Sequence, residues 1–155
     1  MDGLSLARFV FDTNVVRYGF LDEEYRARLR LRFSHRAMCS VVLSELRRAA
    51  RTTESLAEIA RLDRLRPPHV FAPTGSDWME TARFLATLLP ALPRPITREV
   101  RAEIAVAQND ALIAISSWSL GYTVVTTDAG FQRLVEFLPR FASRLIIENV
   151  PLPPA

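Results

Sequence analysis

Several things are scarce in these 155 residues, and each scarcity removes a class of protein. There is one cysteine, Cys39, so an internal disulfide is excluded. There are two histidines, His35 and His69, far apart in sequence, so a zinc-ligand cluster of histidine and cysteine is excluded as well. No apolar run is long enough to span a membrane, and the opening MDGLSLARFVFD lacks the charged-then-apolar order of a signal peptide, which predicts a cytoplasmic protein with no membrane partner. Lysine is missing altogether: all 20 basic residues are arginine, whose planar fork binds phosphate bidentately. The net charge of +3 is compatible with nucleic acid without requiring it.

What remains is ordinary for a folded domain: 49% hydrophobic and 24% charged residues, in a chain long enough to bury a core without staples. Cys39 reads as a small core hydrophobe. Residues 8–12, 37–39, 69–72, 122–126 and 144–148 read as short strands. Helical patterns occupy residues 21–33, a segment from Ser40 carrying Glu45, two further stretches of which the second is 54–65, a stretch through Leu89, residues 98–120, and a short piece after Asp128. Thr13 or Asn14, Ser40, and Ser76 or Asp77 are the expected caps, with Gly121 closing the long helix. Helices between strands throughout imply an α/β fold, with a central parallel sheet of about four to five strands and helices on both faces. The prolines of PALPRPIT make a surface connection rather than an interdomain linker, and the tail at about 150–155 reads as loose.

Four acids stand where elements meet. Asp12 ends the apolar run Phe9-Val10-Phe11, and Asp128 follows the strand in TVVTTDAGF, so in a parallel sheet the two share the edge where such sheets put ligands. Glu45 lies in SVVLSEL, one turn into an apolar helix, and Asp110 lies in NDALIAI. The local patterns leave structural roles open: Asp12 and Asp128 can each cap a following helix, and Asp110 sits either on the small-residue side of one long helix or in the first turn of a second starting at Asn109. Four carboxylates that converge repel one another and need divalent cations to coexist. Glu103, two turns before Asp110 on nearly the same face, is one further candidate. Asp22, Glu23, Glu24, Glu54, Glu58, Glu80 and Glu99 read as solvated faces or dipole partners. Arg26, Arg28, Arg30, Arg32 and Arg36 are dense, but helical spacing spreads them over more than one face.

FVFDTNVV, the stretch from Ser40 to Leu46, NDALIAISSWSLG and VVTTDAGFQRL, in this order, resemble a PIN domain, and most of all the VapC toxins of type II toxin–antitoxin pairs. The resemblance runs from about Phe9 to Leu134 and implies a single PIN-like nuclease domain over residues 1–155. It further implies an endoribonuclease dependent on Mg²⁺ or Mn²⁺, with Asp12, Glu45, Asp110 and Asp128 as metal-binding acids and Thr13, Asn14, Ser40 and Thr126 in support. An RNA substrate, a cognate antitoxin and a homodimer come with it, and the apolar helix faces of residues 41–65 are the expected antitoxin contact. Many members carry another acid where this chain has Gly130. Two other functions compete: a binding module with a vestigial site, and an aspartyl-phosphate phosphatase, whose pattern wants an acid where Asn14 stands.

Overall fold

A computed structural model describes residues 8–149; the expected loose tail lies outside them. Five short strands, β1 (Phe9–Phe11), β2 (Arg36–Cys39), β3 (Val70–Phe71), β4 (Thr123–Thr126) and β5 (Leu145–Ile147), form one sheet in the order β3-β2-β1-β4-β5. All four pairings are parallel, with Val10 opposite Ala37 on one side and Val124 on the other. The α/β expectation holds, and the strand count is the upper of the two values.

Alternation along the strands decides which helix lies where. Phe9, Phe11 and Val125 face α1 (Thr13–Leu21) and α2 (Glu23–Arg32), packing with Val15, Tyr25, Leu29 and Phe33. Val10, Ala37 and Cys39 face the other way, against Val42 and Leu46 of α3 (Ser40–Ala49), Ile59 of α4 (Thr53–Leu62) and Ile113 of α6 (Arg98–Ser119). Val124 lies on that side too, in a cluster with Ala111, Ala114, Ile115 and Trp118 of α6, Phe84 of α5 (Gly75–Leu88) and Leu134 of α7 (Gln132–Phe137). Cys39 is fully buried, its Sγ 3.7 Å from Ser116 Oγ, and burial pushes its thiol pKa up.

Several sequence expectations are corrected. The chain is already helical from Thr13, so the helix expected at residues 21–33 is preceded by α1. Val15, Val16 and Gly19 depress helix propensity there, and packing overrides it: Gly19 is buried, and a Cβ on it would lie 3.7 Å from Arg26 Cβ of α2. The caps also lie one to three residues earlier than expected. Asp12, not Thr13 or Asn14, caps α1; Thr74, not Ser76 or Asp77, caps α5, with Asp77 at the third position accepting from Thr74 N at 2.7 Å. Ser40 is already inside α3, whose cap is Cys39. One helix, α4, follows α3 before the Pro67-Pro68 step, where two stretches were expected. The long helix is continuous through Asn109, and Gly121 follows its cap Leu120 at φ 75°, in the left-handed region. Val42, Leu43 and Leu46 lie in the core, so α3 offers little of the apolar face expected for a partner; Leu56 of α4, 55% exposed, remains.

A candidate acid site at the strand tips

The strand order reverses direction around β1, whose neighbours β2 and β4 belong to opposite halves of the sheet. Parallel α/β sheets open a crevice at such a switch point, beyond the carboxyl ends of the strands. Asp12 follows β1 directly, and Asp128 follows β4 by two residues. Asp12 N donates to Val125 O at 3.0 Å, which ties the two strand ends together.

Asp12 is 3% exposed, and both of its oxygens are engaged. Oδ1 accepts from Val15 N at 2.9 Å, capping α1, and Oδ2 accepts from the Thr126 hydroxyl. The Thr126 oxygen also accepts from Asp128 N at 2.9 Å, so one buried hydroxyl orients both strand-tip acids. Asp128 in turn accepts from Gly130 N at 2.7 Å. Each strand-tip acid is therefore also a cap, the structural role that the sequence left open.

Glu45 comes from α3, half-buried as its apolar context suggested. Its Oε2 accepts from the Thr13 hydroxyl and its Oε1 from Asn109 Nδ2 at 2.7 Å. Asn109 is the residue that sequence reasoning passed over. Its only signal was its place beside Asp110, and its partner lies 64 positions away. Asn14 is exposed, and its contribution to Asp12 is a backbone N–H. Among the described residues the Ser40 hydroxyl makes no hydrogen bond. Glu103 is exposed and borders, with Asp110, Gly130 and Arg133, a cavity of about 360 Å³ floored by Phe84, Leu88 and Leu134.

Asp110 differs from the other three. It is half-buried on α6, and among the described residues no protein donor reaches its carboxylate. Burial first, then the charges of Asp12, Asp128 and Glu45, push its pKa up to about 7. Burial likewise raises Asp12 to about 6, against the pull of its bonds to Thr126 and Val15, with Asp128 adding to the rise. The four acids thus share one electrostatic field. Among the described residues no three of them are set as ligands around a single point, and the oxygens of Asp12 and Glu45 accept from protein donors. The donor set still fits a hard divalent cation. It is all oxygen, a carboxylate oxygen with one hydrogen bond keeps a lone pair, and Asp110 is an underpartnered carboxylate beside three negative groups.

A family model described as the PIN domain matches residues 9–136. The chain is similar to one in the crystal structure of VapBC2 from Rickettsia felis bound to a DNA fragment from their promoter, at 19% identity and TM-score 0.55, covering 93% of this chain and 99% of that one. It is also similar to a chain of DNA-bound VapBC from Salmonella typhimurium, at 22% identity and TM-score 0.56, covering 92% and 98%. A third likeness is to VapBC-1 from nontypeable Haemophilus influenzae, at 20% identity and TM-score 0.58, covering 92% and 97%. At such identities these likenesses are of fold. No curated protein matches the chain.

Proposed function

The chain belongs to the PIN domain family, and on that premise we propose that it is a metal-dependent endoribonuclease acting as the toxin of a type II toxin–antitoxin pair. One observation carries the reading: on top of burial, the charges of Asp12, Asp128 and Glu45, acids separated by up to 116 positions, raise the pKa of Asp110. Packing alone has no use for that repulsion, and a bound cation relieves it. Asp12, Glu45, Asp110 and Asp128 would hold Mg²⁺ or Mn²⁺. When bound, the ion makes water easier to deprotonate for attack on phosphorus and offsets charge on the leaving oxygen.

The chain's own residues do the positioning. Thr126 fixes Asp12 and Asp128 relative to each other, while Thr13 and Asn109 fix Glu45 from two directions. Arg133, bordering the cavity beside Asp110, supplies positive charge for a substrate phosphodiester that must approach four carboxylates. The VapBC assemblies similar to this chain support an antitoxin as its partner, and a homodimer would extend the arginine-rich surface.

The test is cleavage of a mixed RNA pool by the purified chain with Mg²⁺, with Mn²⁺ and with EDTA. Metal-dependent cuts, lost in Asp12→Asn, uphold the nuclease reading; no cleavage with either metal overturns it. Growth arrest on expression, relieved by the adjacent reading frame, tests the toxin role separately.

A further inference from the structure

Toward the other edge of the sheet lies a second cavity, of about 430 Å³, bounded by α1, α2, α4, β1 as far as Phe11, and the start of β2. Arg8, Arg26, Arg30, Arg36 and Arg61 line it. So do both histidines, and no acidic side chain is among the lining residues. Two acids offset part of this charge: Glu58, which Arg61 meets at 2.7 Å and Arg26 at 4.0 Å, and Glu23, 3.4 Å from Arg26. Arg26 Nε is buried without a hydrogen-bond partner. Among the described residues, Arg30 and Arg36 make no ion pair and no side-chain hydrogen bond. Burial, then the neighbouring Arg30 and Arg61, hold the Arg36 pKa below the usual arginine range. The floor is apolar, with Phe11, Phe20, Leu29 and Leu62.

We propose that this cavity binds a phosphomonoester joined to a planar apolar group, the chemistry shared by a nucleoside monophosphate and the 5′-phosphorylated end of an RNA strand. Guanidinium forks from two helices and a strand, lining one cavity, are suited to a phosphate dianion, which accepts several bidentate pairs at once. The apolar floor receives the base, and the volume lies in the range of small-ligand sites, about 300–1,000 Å³.

Calorimetric titration of the full chain in EDTA tests this with 5′-AMP, adenosine, a short RNA with and without a 5′-phosphate, and an acidic peptide. We expect 5′-AMP to bind at least tenfold more tightly than adenosine. The Arg30→Gln/Arg36→Gln double variant should lose at least tenfold in 5′-AMP affinity at an unchanged melting temperature, and Arg61→Gln, on another helix, provides the same measurement if the double variant unfolds. Binding of the 5′-phosphorylated RNA as well as 5′-AMP identifies the strand end as the source; binding of 5′-AMP alone identifies the free nucleotide; both uphold the site. Equal affinity for 5′-AMP and adenosine, no 5′-AMP binding at millimolar concentration, undiminished binding by the variants, or tighter binding of the acidic peptide would each overturn it.

Discussion

The two edges of the sheet carry opposite charge and are built in opposite ways. At the acid edge nearly every carboxylate is held by a specific donor: Thr126 and Val15 N for Asp12, Thr13 and Asn109 for Glu45, Gly130 N for Asp128. At the basic edge Arg61 and Arg26 lean on Glu58, while Arg30 and Arg36 make no ion pair or side-chain hydrogen bond among the described residues. The first arrangement fixes individual oxygens before any ligand arrives. The second offers summed charge that adjusts around a ligand. Single substitutions should therefore be severe at the acid edge and mild at the basic one.

The largest expected effect is Asp12→Asn. Removing one buried charge from the cluster should lower Mg²⁺-dependent RNA cleavage by about 10²-fold or more, whereas Arg30→Ala should leave the cleavage rate near wild type. Equal losses in the two variants would break the contrast between the edges. Next come the orienting residues. Thr126→Val keeps shape and loses the hydroxyl shared by Asp12 and Asp128; Asn109→Ala frees one oxygen of Glu45. Each should weaken Mn²⁺ binding by roughly 10–100-fold in a calorimetric titration. Unaltered affinity in both would mean that the acids need no fixed orientation.

A third comparison uses pH. Asp110 at about 7 and Asp12 at about 6 both lie above the ordinary 3.8. The metal-free folded state therefore holds protons that the unfolded state has released, and stability falls as pH rises from about 4 to about 7. Asp110→Asn removes the less encumbered of the two. It should raise the metal-free melting temperature at pH 8 by several degrees, roughly 2–4 °C for each kcal/mol relieved, and change it little at pH 4. Adding Mn²⁺ at pH 8 should stabilise the wild type and not the variant. A variant less stable than wild type at pH 8 would show that Asp110 is not repelled there.

Much of this was legible in the sequence, and the illegible parts have identifiable causes. Strand-tip acids can be read because a strand's end and a parallel sheet's edge are the same place, which is how Asp12 and Asp128 were found. Helix α1 was hidden by Val15, Val16 and Gly19, whose local preference opposes a helix that tertiary packing favours. Caps were displaced because Ser, Thr and Asp cluster at each helix start, and only the backbone angles say which one leaves the helix. Asn109 was invisible as a positioning residue because its hydrogen bond to Glu45 exists only after α3 and α6 pack together. The arginine cavity was obscured for the same reason: Arg26 and Arg30 share a face of α2, but Arg36 lies on β2 and Arg61 on α4, and only the fold brings these elements together.

The smallest expected effect concerns the position where the family resemblance fails. A Cβ added to Gly130 would stand 3.0 Å from Asp128 Oδ1, the atom to which Gly130 N donates. Gly130→Asp therefore brings both a close contact and a fifth carboxylate to the acid edge, without the cost of a left-handed backbone, since among the described glycines it is Gly121 that has a positive φ. In EDTA at pH 8 the melting temperature should fall by about 2–4 °C, the response to roughly 1 kcal/mol. Mn²⁺ should then restore more in the variant than it adds to the wild type, because the extra repulsion and the extra oxygen donor act through the same ion. A variant destabilised in EDTA with no larger response to Mn²⁺ would mean that steric crowding alone separates glycine from aspartate at this position.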